Sequence, residues 1–204
     1  MTTAPEQTEA AADEATRDRI LRAGMDCVTR YGRAKTTMRD VARAAGLSRA
    51  TLYRHFVDRG ALFHAIREFE RRRDLAAITE RAGRTTTLTD AVAVVAEVLA
   101  ATGIRYRQGE HLAAGDEDLA RYVALRLGRE RERVAGMVRP YVRRAAAAGE
   151  LRPGISETEA EEWLALSLAQ AGSLTGVRSV DVRDPAAVGG WLARMACAGL
   201  CVDA

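Results

Sequence analysis

Residues 36–56 read TTMRDVARAAGLSRATLYRHF. The stretch gathers hydroxyls (Thr37, Ser48, Thr51), a small side chain (Ala50), two cations (Arg49, Arg54) and two amphipathic rings (Tyr53, His55), with Arg59 just beyond. These groups are suited to gripping a polyanion. Arg can fork onto guanine O6 and N7, and the methyls of Ala and Thr can meet a thymine methyl. Tyr, His and Arg can bond phosphate oxygens and fix register. General acid–base work needs partners that the stretch lacks, and a core segment needs more apolar mass.

The elements that must position these groups are legible nearby. Thr37 precedes Met38 with Asp40 in the first turn, which predicts an N-cap. Gly46 can supply the left-handed residue that ends this helix, and Ser48 is the next N-cap. The result is helix, short turn, helix, the spacing of a helix-turn-helix whose second helix enters the major groove. Leu47, Leu52 and Phe56 form an apolar side able to pack on Val41, Ala45 and the first helix. Many α-hairpins share this spacing.

The run TTMRDVARAAGLSRATLYRHFVDRGALFHAI resembles the DNA-binding domain of the TetR family of bacterial repressors, over about residues 14–66. The resemblance implies that Thr37 touches a phosphate, that Arg49 and Thr51 face bases, and that Tyr53 and His55 bond the DNA backbone. It also implies that Arg59, where the family usually has Lys, reaches phosphate. Ser48, Ala50 and Arg54 complete the expected interface. Two departures stand out: Val57 at a turn position and Gly60 in the first turn of the following helix, where Gly costs roughly 0.5–1 kcal/mol.

Charge agrees with this reading. The chain has 204 residues and net charge +3. Residues 14–81 hold 16 basic against 9 acidic residues, net +7, whereas residues 82–204 are net −1 and residues 1–13 net −3. A basic segment on a near-neutral body suggests a polyanion-binding module joined to a part with another task. The runs ERRR (70–73) and RERER (129–133) read as solvated faces. Cys27, Cys197 and Cys201 make an odd count without paired spacing, so a reducing cytoplasm is expected. Cys197 and Cys201, one helical turn apart, read as core. The polar N-terminus lacks a signal-peptide core, and no run reaches the roughly 20 apolar residues of a membrane span.

Apolar residues recur at helical spacing throughout. The sequence predicts an all-α chain of about nine helices with a disordered tail at 1–13; the resemblance implies a three-helix helix-turn-helix DNA-binding domain at 14–59 and a helical ligand-binding and dimerisation bundle at 60–204. Gly103, Gly109 and Gly115 mark a loose stretch. Separate helices are expected at 116–127 and 129–148, the second kinked or split by Pro140. SETE at 156–159 reads as a capping box, and Asp184-Pro185 starts the last helix.

The resemblance further implies a homodimer formed through about residues 156–175 and 185–202, with Leu168 and Leu192 at the contact. It also implies a double-stranded DNA operator and a small-molecule effector of unknown identity. Apolar or amphipathic effectors suit the expected lining: Phe63, Phe69, Val95, Leu99, Tyr122, Met137, Tyr141, Trp163 and Leu166, with Gln170 and Ser173 to orient a polar group. No cofactor or metal site is expected, since His111 beside Glu110 lacks further ligands. The alternative is a helical carrier or enzyme whose helix-turn-helix is only structural.

Overall fold

The computed structural model describes the backbone of residues 4–107 and 117–202 and the side chains of residues 10–105 and 129–202. Among the described residues the chain is all-helical, with eight α-helices, one 3-10 turn and a single isolated bridge between Leu151 and Cys201. The helices are α1 (Ala4–Tyr31), α2 (Met38–Ala44), α3 (Arg49–His55), α4 (Arg59–Ala82), α5 (Leu88–Arg107), α6 (Glu117–Ala148), α7 (Glu157–Leu168) and α8 (Pro185–Cys197); the 3-10 turn covers Ala171–Ser173. No helix among the described residues is long and apolar enough to cross a membrane.

Two compact units divide between Arg73 and Asp74, inside α4. The expected boundary lay at the start of that helix. Leu62, Phe63, Ile66 and Phe69 are buried, so the first turns of α4 belong to the N-terminal unit. That unit's core also takes Ile20, Leu21, Cys27 and Val28 from α1, Val41 and Ala42 from α2, and Leu52 and Phe56 at α3. Helix α1 begins at Ala4, so it runs through residues 4–13, of which the described side chains, 10–13, are exposed.

The C-terminal unit is built on α5, which packs against α8 and the 3-10 turn, and on α6, which packs against α7. A Cβ on Gly189 of α8 would stand 2.6 Å from the Ala93 carbonyl oxygen of α5, so the two backbones meet where only glycine fits. The small residues of α8 therefore serve contact within the chain. Leu168 and Leu192, expected between subunits, lie in this unit's own core. Helix α5 continues through Gly103 to Arg107, because Gly103 packs directly on the backbone of Gly172 rather than ending the helix. The expected helices at 116–127 and 129–148 are one helix. Pro140 sits within it without ending it, at the cost of one i→i−4 hydrogen bond.

The start signals read from sequence recur as observed caps. Ser156 and Glu159 form a reciprocal capping box, and Asp184 accepts from the Ala186 amide ahead of a helix with Pro185 in its first turn. Burial pushes the Cys197 thiol up to about 12, with Thr89 and Cys201 bonded to it, so this thiol is held neutral.

Candidate nucleic-acid interface

The interface is built from its caps upward. The Thr37 amide donates to Asp40 Oδ2 at 3.1 Å and the Asp40 amide donates to Thr37 Oγ1 at 3.2 Å, closing a capping box at the start of α2. The Thr37 hydroxyl donates to the same carboxylate at 2.6 Å. These bonds from Thr37 hold the Asp40 carboxyl below its ordinary range. At the other end, Gly46 adopts φ +65°, and the Leu47 amide reaches back to the Ala42 carbonyl at 2.9 Å. The pattern, with Gly46 N–H on Arg43, is a Schellman ending that turns the chain sharply into α3. Ser48 then caps α3 by accepting from the Thr51 amide at 3.0 Å, and its hydroxyl pairs with that of Thr51 at 2.9 Å.

Helix α3 is thereby fixed at its entry and anchored by Leu52, which is wholly buried. Its opposite side is open. Arg49, Ala50, Tyr53 and Arg54 are exposed, Tyr53 at 44%, and Thr51 is half-buried. Among the described residues Arg49 and Arg54 have no ion-pair partner, so both guanidiniums are available. A groove lined by Thr37, Met38, Arg39, Arg49, Tyr53 and Arg59 joins the start of α2 to this face. Arg39 was not among the residues expected from sequence; a cation in the first turn of α2 was the available signal. Thr37 and Ser48 sit on this side with their hydroxyls already engaged in caps, so Thr37 must leave Asp40 to bond a phosphate through its side chain.

Two expected DNA contacts are engaged by the chain itself. The His55 side chain is 4% exposed and faces Asp13 of α1 at 3.6 Å, away from the face of Arg49 and Tyr53. It closes the end of α3 onto α1, where Arg17 also lies over the Phe56 ring at 4.6 Å. Arg59 is exposed and lines the same groove, but its guanidinium is bonded to the unit's own backbone. Its Nε donates to the Thr36 carbonyl at 3.0 Å, and one terminal nitrogen donates to the carbonyls of Arg33 and Ala34.

The expected effector lining divides. Phe63 and Phe69 belong to the N-terminal unit, where Arg59 and Arg33 flank the Phe63 ring and Arg22 lies over Phe69. Val95, Leu99, Met137 and Tyr141 are buried together in the C-terminal core. Trp163 and Leu166 are 49% and 48% exposed, and Gln170 and Ser173 are exposed too, so none of these four lines a closed interior. The side chain of Tyr122, and His111 with its neighbours, lie outside the described residues. Sequence reasoning missed a polar cluster in the C-terminal unit. Asp74, only 6% exposed, accepts the Thr102 hydroxyl at 3.0 Å and lies 3.8 Å from the Arg105 guanidinium. Glu70, read as part of a solvated run, is likewise buried, whereas Arg71, Arg72 and Arg73 are exposed. Asp74 shares a helix face with Ile78 and Ala82, a spacing that could have marked it as inward.

Residues 20–66 match the family model for bacterial regulatory proteins of the tetR family. A stretch of 69 residues is 38% identical to the HTH-type transcriptional repressor Rv1474c of Mycobacterium tuberculosis, covering 34% of this chain and 36% of that repressor. The chain thus spans about a third of the curated relative's length. The fold matches that of SmeT, the repressor of the Stenotrophomonas maltophilia multidrug efflux pump SmeDEF, with TM-score 0.58, 21% identity, and coverage of 94% of this chain and 93% of that one. The SmeT–triclosan complex matches with TM-score 0.59, at 21% identity and 93% coverage of both chains. The capped helix-turn-helix thus lies within the stretch that matches the tetR family model, residues 20–66, and the chain as a whole shares the helical fold of SmeT.

Proposed function

We propose that the chain is a transcriptional repressor rather than an enzyme, that it binds a palindromic DNA operator as a homodimer, and that a small apolar or amphipathic effector releases it. The observation that carries the proposal is the exposed face of α3. Arg49, Ala50, Thr51, Tyr53 and Arg54 stand on a helix fixed by Ser48 and Gly46, in a segment of net charge +7. Arg49 and Thr51 read bases; Tyr53, Arg54 and Thr37 hold phosphates; Ala50 permits close approach.

Dimerisation is supported by the outer side of α7 and α8. Trp163, Leu166 and Met195 are exposed there, Met195 at 63%, and the Trp163 indole N–H donates to the Ala196 carbonyl at 2.9 Å. Fixed, exposed apolar side chains of this size mark a contact surface. Two recognition helices related by such a contact read two half-sites about one DNA turn apart. For the effector, Val95, Leu99, Met137 and Tyr141 supply apolar surface, and Asp74 with Thr102 supplies polar groups. The solved complex of SmeT with triclosan is a precedent for a small molecule on this fold.

The test is a salt titration of binding to a genomic fragment library. The logarithm of affinity falls steeply with the logarithm of salt, by about 0.9 for each phosphate neutralised. Arg49→Ala relaxes preference at one base position by about 1–3 kcal/mol. A chain that selects no fragment leaves the carrier or enzyme reading in its place.

A further inference from the structure

We infer that Arg59 governs DNA affinity as a positioning residue, latching the loop that delivers α2, and does not itself neutralise a phosphate. The inference rests on the DNA-binding reading above. In the loop between α1 and α2, the carbonyls of Arg33, Ala34 and Thr36 converge on one guanidinium. Both the Nε and a terminal nitrogen of Arg59 are committed to them. An aromatic ring backs the guanidinium as well, its central carbon lying 4.5 Å from the centre of the buried Phe63 ring.

The loop end of this latch is rigid. Thr36 is completely buried, and its hydroxyl and amide both bond the Gly32 carbonyl, at 2.8 and 3.1 Å. The next residue is Thr37, the cap of α2. Arg59 therefore ties the first turn of α4 to the residue that sets where α2 begins. A fork with donors fixed in one plane fits three carbonyls; an ammonium offers a point charge on a flexible stem and does not reproduce the pattern. The residue type is thus demanded by the carbonyls, whereas a phosphate contact would accept either cation.

The two roles separate in salt dependence. The experiment uses the full chain and a labelled duplex selected by that chain from a random-sequence pool. Parent, Arg59→Gln and Arg59→Lys are titrated across salt, and amide hydrogen exchange is followed at Thr36 and Val41, whose N–H groups bond Gly32 and Thr37. As a latch, both variants bind about tenfold or more weakly at every salt concentration with the parental slope, and both amides exchange at least about tenfold faster. Arg59→Lys fails alongside Arg59→Gln. A slope lowered by about 0.9 per subunit in Arg59→Gln and restored in Arg59→Lys overturns the inference. So does parental exchange in both variants, a readout that holds even where a variant binds too weakly to titrate. A parent that selects no duplex while the variants still show faster exchange removes the regulator reading and leaves the latch as a structural fact.

Discussion

The two units solve the problem of placing side chains in opposite ways. The N-terminal unit sets its exposed face on two short helices, α2 and α3, whose ends are specified by local bonds: Thr37 with Asp40, Gly46 with its Schellman pair, Ser48 with Thr51. The C-terminal unit packs its elements by close backbone approach, Gly189 on Ala93 and Gly103 on Gly172. Seven residues are too few for an isolated helix to persist in water, so α2 and α3 depend on their caps and on a few anchors such as Val41 and Leu52. The difference teaches that a reading helix is held by many small, local terms, whereas a bundle that shelters an interior is held by extended surfaces that sequence spacing hardly records.

The largest expected effect tests the anchors. Leu52→Ala removes a fully buried side chain from the small unit and costs about 2–5 kcal/mol. DNA binding is lost at lower temperature than the tryptophan signal, because both tryptophans, Trp163 and Trp191, lie in the C-terminal unit. Coincident loss of both signals at the parental temperature breaks the contrast between the units.

A smaller effect sharpens the outer surface of α7 and α8. Met195→Asp places a charge on an exposed apolar position and weakens self-association by about 1.5–3 kcal/mol, read by sedimentation, while the helical content is unchanged. Leu192→Asp, at a position 6% exposed, unfolds the unit instead. Equal association of Met195→Asp and parent removes this face from the dimer contact.

The smallest effect is the acid edge of the α2 cap. The Asp40 carboxyl is held low by bonds from the Thr37 hydroxyl and amide, so the folded state binds fewer protons than the unfolded state around its ordinary value of 3.8. Its contribution is complete above that value and is lost as pH falls through the lowered one. Thr37→Ala flattens the stability profile below about pH 4 and leaves it parallel to the parent above about pH 6, by thermal melts across pH. A profile parallel throughout shows that the cap does not couple to acid.

Much of the N-terminal unit was legible because its information is local. A cap declares itself within three or four residues, and Thr37, Gly46, Ser48, Ser156 and Asp184 were each read correctly from spacing. The exposed face of α3 followed from the same periodicity. The directions of long side chains did not follow. Arg59 turned to three carbonyls, His55 turned to Asp13, and Trp163 and Leu166 turned outward from the expected interior. Pro140 left α6 continuous, and Gly103 left α5 continuous.

By itself, then, the sequence determined that the chain is helical, where most helices begin, and which short helix presents hydroxyls, methyls and guanidiniums together. Those properties depend on backbone bonds and rotation angles among neighbours in the chain. Only the tertiary structure decided which cations face outward, which carboxylates such as Glu70 and Asp74 are buried, and which apolar side chains remain uncovered. A flexible side chain can reach in several directions, and the partner that selects one comes from another element, as the loop carbonyls selected Arg59 and α1 selected His55.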